Sequence, residues 1–162
     1  MDFIDKIEKE AGVSIHKDKV HHVLAHSYMF YFIAFLFSLI LDFIFPLKIL
    51  DQSVAIPLGT ILLIFSALLV FWAQKSSHKL EKENITKETF CRGPYCYTRS
   101  PTHLGLFLMI LGFGFLTNSF FITFFAILSF ITTKFTFLNK QEKILTEKYG
   151  APYAEYKKSV RF

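Results

Sequence analysis

The sequence has no strand pattern followed by G-x-G-x-x-G, which excludes a Rossmann-type nucleotide domain. Cysteine is scarce: Cys91 and Cys96 stand alone, and no nearby Cys or His pair completes a zinc site around them. No internal repeat or low-complexity linker breaks the chain, so a single domain is expected. Residues 1–27 carry both signs of charge and lack the basic, apolar, small-residue order of a cleaved leader. Phenylalanine, by contrast, is abundant. The 162 residues include 21 Phe, are 52% hydrophobic and 18% aromatic, and have a mean hydropathy of +0.39. A soluble domain of this size has no core able to hide such residues in continuous runs, so the chain is expected in a membrane.

Hydropathy predicts four spans, at 28–45, 54–73, 103–117 and 119–138. Crossing roughly 30 Å of hydrocarbon takes roughly 20 helical residues. The third run is short, so it borrows residues from its flank or sits in a thinner region. Thr117-Asn118-Ser119 reads as the tip of a tight helical hairpin. Lysine and arginine set the orientation. Residues 1–27 hold four, 74–102 six and 139–162 six, against one in 46–53 and none at the hairpin tip. Positive flanks mark the cytoplasmic side. The expected fold class is therefore an all-α integral membrane protein with four transmembrane helices, a C-terminal helical hairpin, a cytoplasmic motif loop and a cytoplasmic tail. In that compartment a disulfide between Cys91 and Cys96 is not expected.

The net charge of +5 is spread beside the spans, which suits contact with membrane lipids and argues against nucleic acid. Asp42 and Lys134 interrupt apolar runs near their ends, from where they are expected to reach the headgroups. Trp72 is expected to anchor a span at the interface. Residues 1–27 read as an amphipathic cytoplasmic segment carrying His16, His21, His22 and His26. His22 and His26 lie one turn apart, yet no carboxylate or Cys completes a metal site there. Residues 28–86 hold two spans and a loop, and residues 87–162 hold the other two spans with the polar motifs.

Those motifs flank the hairpin. Before it run Gly93-Pro94-Tyr95, then Arg99-Ser100-Pro101, then Gly105. After it come Asn139-Lys140-Gln141-Glu142-Lys143-Ile144-Leu145, Tyr149-Gly150, Tyr153, Tyr156 and Val160-Arg161-Phe162. Their order and spacing resemble the isoprenylcysteine carboxyl methyltransferases and their relatives, the phospholipid N-methyltransferases, over residues 87–162. That family carries G-P-Y-x-Y-x-R-H-P-x-Y-x-G before a hairpin and E-E-x-x-L-x-x-x-F-G-x-x-Y-x-x-Y-x-x-x-V-x-R after it. The resemblance implies methyl transfer from S-adenosylmethionine at the cytoplasmic membrane face. It implies a lipophilic acceptor: a prenylcysteine-like carboxylate, a lipid amine or a small hydrophobic molecule.

On the same resemblance, Arg99, His103 and Glu142 are the candidate catalytic residues. Gly93, Pro94, Tyr95, Tyr97, Arg99, Ser100, Pro101, His103, Gly105, Gln141 and Glu142 are the candidate cofactor contacts, and no metal is implied. Side-chain chemistry agrees with these roles. The Arg99 fork suits the cofactor's carboxylate, and Glu142 suits its amino group. Tyr95 and Tyr97 offer ring faces to adenine or to the sulfonium. Pro94 and Pro101 stiffen the loop, while Gly93 and Gly105 permit close backbone approach. The structural alternatives are Arg99 on a lipid phosphate, Glu142 on a neighbouring Lys, and Tyr149, Tyr153 and Tyr156 packed at the membrane interface.

Three positions depart from the family pattern. Ser100 stands where it has His, His103 where it has Tyr, and Gln141 where it has Glu. A ring nitrogen has thus moved three residues, nearly one helical turn. These changes admit a catalytically degenerate protein of the same fold, and a sterol-reductase-like NADPH enzyme is a further alternative. In the methyl-transfer reading, a nucleophile attacks the sulfonium methyl in line. A cleft shielded from water favours that step, because opposite charges cancel as it proceeds.

Overall fold

The computed structural model describes residues 2–77 and 90–160, and every regular element among them is helical. In chain order these are α1 (Asp2–Ile44), α2 (Gln52–Ser77), a 3-10 turn (Gly93–Cys96), α3 (Pro101–Leu116) and α4 (Phe120–Thr133). A π-turn (Lys134–Leu138), α5 (Asn139–Tyr149) and α6 (Ala151–Ser159) follow. The expected boundary at 86/87, Arg161, Phe162 and the side chains of His16 and His21 lie outside the described residues.

Three stretches are long and apolar enough to cross a membrane: Ala25–Ile44, Gln52–Ser76 and Phe120–Glu147. The apolar α3 is shorter, at 16 residues, or about 24 Å of helix. Residues 2–27 continue the first span as one unbroken helix rather than forming a segment apart from it. The second span also runs longer than hydropathy suggests, from Gln52 to Ser76, with Pro57 inside the helix.

Burial is inverted relative to a soluble protein. Phe43, Ile61, Leu68 and Phe71 point outward, while Ser27, Ser38, Ala55, Ser66, Ala73, Ala126 and Ser129 are buried. Lipid solvates large apolar side chains as well as a protein core does, so small residues gather where helices meet. The most extensive packing joins α2 to α3. There a Cβ at Gly59 would lie 2.5 Å from the Leu116 nitrogen and 2.7 Å from the Gly112 oxygen. In turn α4 packs on α3 and on α1, and α5 packs on α1.

Opposite the motif end, the hairpin tip is tied to the α1–α2 loop. Asn118, at φ 54, accepts from the Ile49 and Leu50 amides at 3.1 and 3.0 Å and donates to the Leu50 carbonyl at 2.7 Å. Ser119 caps α4 by accepting from the Ile122 amide, and its hydroxyl donates to Asp42 at 2.6 Å. Asp42 therefore binds the hairpin instead of reaching for the headgroups.

Gly59→Val would drive a branched side chain into the backbone of α3. Overpacking of this kind costs about 1–3 kcal/mol, so the thermal midpoint in detergent should fall clearly. An unchanged midpoint would show that this seam is not close-packed.

Candidate functional site at the motif loop

The loop leading into α3 is shaped by its own residues. Gly93 takes φ +56, and a Cβ on it would run into Ser76 and Trp72 of α2. Pro94, buried, opens the 3-10 turn, and its carbonyl accepts from the Tyr97 and Thr98 amides, each at 3.1 Å. That turn brings the Cα atoms of Cys91 and Cys96 to 4.4 Å, and the two cysteines form a disulfide. The expectation of no disulfide is thereby corrected: the turn brings the two side chains within bonding reach of each other. His22 and His26 stay a pair, with ring centroids 4.3 Å apart, and no cluster of three metal-ligating side chains occurs among the described residues.

Pro101 begins α3, as proline suits a first helical position. Arg99 lies just before it, and Glu142 lies in the first turn of α5. The hairpin folds these two motifs together. Arg99 Nη1 sits 2.9 Å from Glu142 Oε1, and Lys157 Nζ of α6 sits 2.8 Å from Glu142 Oε2. Beside them is a cavity of about 70 Å³ lined by Arg99, Ser100, Lys134, Asn139 and Glu142, with Leu104, Phe130 and Leu138 as its apolar wall. Arg99 Nε is buried with no hydrogen-bond partner. Lys134, expected at the headgroups, instead lines this cavity.

The tail tyrosines form a small core of their own. Tyr153, Tyr156 and Val160 are buried against Phe90, Leu145 and Tyr149. The Phe90 ring lies 5.1, 5.4 and 5.6 Å from those of Tyr149, Tyr153 and Tyr156. The Tyr156 hydroxyl donates to the Tyr95 carbonyl at 2.6 Å, which clasps α6 to the motif loop. Burial, reinforced by nearby Tyr95, pushes the Tyr156 hydroxyl up to about 12, and burial next to Glu142 raises Tyr153 as well. These rings close the loop by packing.

The remaining candidates fall in different places. Tyr97 is 78% exposed, Gln141 is half-buried, and Pro101 is buried at the start of α3. Gly105 faces Val70 and Ser66 of α2. His103 is only 1% exposed and turns toward α1, its ring 5.3 Å from that of Tyr28 and 6.5 Å from that of Tyr31. Neither of its ring nitrogens has a hydrogen-bond partner. Tyr28 and Tyr31 also line a separate apolar cleft of about 480 Å³ bounded by Val70, Thr102, Leu106 and Ile110. Sequence reasoning missed Lys157 and Asn139 at the polar cavity. Only long-range pairing puts Lys157 there, whereas a polar residue three positions before Glu142 was a readable signal for Asn139.

Apolar spans with a charged cavity at one end define a membrane protein whose polar site lies at the close of its spans. The chain belongs to the phospholipid methyltransferase family, whose family model matches residues 54–152. It is thus an integral membrane protein of a methyltransferase family. No curated protein and no solved structure matches the chain.

A raised hydroxyl stabilises the fold while it stays protonated. The contribution of Tyr156 is complete below its unfolded value of roughly 10 and disappears as pH rises toward about 12. The tail should detach over that window, read as tyrosinate absorbance together with new protease cleavage in 149–160. Tyr156→Phe, which loses a bond worth about 1 kcal/mol, should detach at lower denaturant.

Proposed function

We propose that this protein is a methyltransferase that uses S-adenosylmethionine on a lipophilic acceptor. The observation that carries the reading is the meeting of Arg99 and Glu142 across the hairpin at 2.9 Å, beside a cavity. When bound, the cofactor supplies an electrophilic methyl group on sulfur. The chain supplies two opposite charges fitted to a zwitterionic amino-acid group: a guanidinium with an unpartnered Nε for the carboxylate, and a carboxylate for the amine. Binding exchanges the internal ion pair for two external ones, so neither charge is left bare. At about 70 Å³ the cavity is smaller than the roughly 300–1,000 Å³ of small-molecule sites, so Arg99 and Glu142 part as the ligand enters. Leu104, Phe130 and Leu138 exclude water from one side, and with the larger cleft they support an acceptor that arrives through lipid.

We infer four spans, with α3 as the short third one, and cytoplasmic termini and motif loop. The support is the excess of Lys and Arg in 1–27, 74–102 and 139–162 over the opposite loops. Single cysteines introduced at 46–53 and at 74–90 of a cysteine-free variant should label from opposite sides of sealed vesicles. Labelling from one side would overturn the arrangement.

Titration calorimetry of the purified protein in detergent should detect S-adenosylhomocysteine, and labelled cofactor should deliver its methyl group to a lipid fraction. Binding without transfer would assign the degenerate reading; NADPH binding instead would favour the reductase. A hydrogen bond to a charged partner contributes about 1.5–3 kcal/mol. Arg99→Ala and Glu142→Gln should therefore weaken S-adenosylhomocysteine roughly ten- to a hundredfold. Ser100→Ala should cost far less, and His103→Ala, with its ring turned toward α1, should leave that affinity unchanged. Negligible effects at both Arg99 and Glu142 would move the site elsewhere.

A further inference from the structure

The cleft between α1, α2 and α3 is built unlike the polar cavity. At about 480 Å³ it already has the size of a small-molecule site, roughly 300–1,000 Å³. Its α1 wall is a row of four rings, Tyr28, Tyr31, Phe32 and Phe35, at the i, i+3, i+4, i+7 spacing of one helix face. Phe32 is 60% exposed, so the cleft opens sideways toward lipid. None of the described residues that line it carries a charge.

His103 stands between the two spaces. On α3, Thr102 before it lines the cleft and Leu104 after it lines the polar cavity. Its ring packs behind Tyr28 and Tyr31 of the cleft wall, at 5.3 and 6.5 Å between centroids. It is 1% exposed, and neither ring nitrogen has a hydrogen-bond partner among the described residues. A neutral imidazole offers one donor and one acceptor, and burying both unpaired is costly. A ligand seated in the cleft reaches it past Tyr28, which is only half-buried.

The chemistry of that ligand is constrained. A phosphate, carboxylate or ammonium would bring an ion into a space that holds no opposite charge, which is unfavourable away from water. A hydroxyl brings no charge and donates to whichever ring nitrogen is unprotonated. The row of rings suits an aromatic body by edge-to-face or offset contact. A phenol unites these features, and it yields its proton near pH 10, against about 15.7 for water.

We propose that the cleft binds an uncharged alkylphenol as the methyl acceptor, with its hydroxyl on His103. The inference rests on the methyltransferase reading and names the class of acceptor within it. In transfer the phenol O–H bond breaks as its oxygen bonds the methyl carbon, and the carbon–sulfur bond breaks with its electron pair left on sulfur. The proton passes to the open His103 nitrogen. His103 thus touches the acceptor, while Arg99 and Glu142 serve the cofactor from the other side of the wall.

Four probes with one tail and different heads test it: para-octylphenol, its methyl ether, para-octylbenzoic acid and para-octylbenzylamine. Binding of each is measured on the full chain in nanodiscs, with empty nanodiscs subtracted, for the wild type, His103→Phe and His103→Gln. The wild type should hold the phenol roughly five- to tenfold more tightly than the ether, and the acid and amine more weakly still. His103→Phe should level phenol and ether, and His103→Gln should keep part of the difference. S-adenosylhomocysteine should stay within about twofold in both variants. In the wild type the phenol, and not the ether, should shift the nitrogen NMR resonances of the His103 ring. Labelled methyl should be recovered on the phenol oxygen.

The proposal is overturned if the wild type binds phenol no better than ether, or binds the acid or amine as tightly. It is also overturned if His103→Phe keeps the phenol–ether difference, or if wild type that binds both phenol and S-adenosylhomocysteine transfers no methyl group. Should His103→Phe lose S-adenosylhomocysteine through misfolding, the ring resonances of the wild type decide in its place. Failure of the wild type to bind S-adenosylhomocysteine rejects the methyltransferase reading instead, since the phenol–ether comparison needs no cofactor.

Discussion

Helices in a bilayer gain nothing from hiding leucine, so their mutual attraction must come from contact at short range. The seam between α2 and α3 meets that requirement with backbone against backbone at Gly59 and Gly112. Everything chemical in the molecule hangs from it. The N-terminus of α3 is fixed by the seam, Arg99 sits directly before that terminus, and the loop of Gly93 rests on Ser76 and Trp72 of the same α2. Loosening the seam by an ångström would move Arg99 relative to Glu142, which arrives from α5 on a different packing surface.

The two ends of the bundle are held by different forces. At the hairpin tip the ties are local and polar, with Asn118 acting as a surrogate peptide for the α1–α2 loop and Ser119 serving α4 and Asp42 together. At the motif end the ties are aromatic and ionic, from the Phe90 cluster to the Arg99–Glu142–Lys157 chain. The polar knot at the tip pairs Asn118 with the backbone of the α1–α2 loop and Ser119 with Asp42 and the Ile122 amide. The ionic chain keeps a buried Arg99 nitrogen unsatisfied. Strong satisfaction at one end and reserve at the other is the arrangement expected of a scaffold with one working face.

Much of this was readable from residue order. Apolar runs marked the three helices long enough to cross a membrane and the shorter apolar α3, and the two motifs with a hairpin between them pointed to Arg99 and Glu142 as one site. What resisted reading depends on direction or on distant partners. His103 follows Ser100 by three residues, which at roughly 100° each leaves its ring about 60° off the position it was expected to take over. Asp42 and Lys134 looked alike as charges near span ends, yet Asp42 takes its partner, Ser119, from the hairpin tip and Lys134 lines the polar cavity. Cys91 and Cys96 were read by compartment alone, which misses that the 3-10 turn between them sets their Cα atoms 4.4 Å apart. The long α1 went unseen because nothing in residues 13–45 stops a helix, while the change from charged to apolar composition looked like a boundary.

The glycines leave a different mark on how this sequence can drift. A side chain at Gly105 collides with Val70, whose own trimming would make room, so a change at one position can be rescued at the other. Gly150 has open space around it and φ +62. Its constraint lies in its own torsion, and no neighbour can be altered to relieve it. Second-site suppressors should therefore be found for the glycine inside the membrane seam and not for the one on the surface, a reversal of the usual ranking of buried and exposed positions.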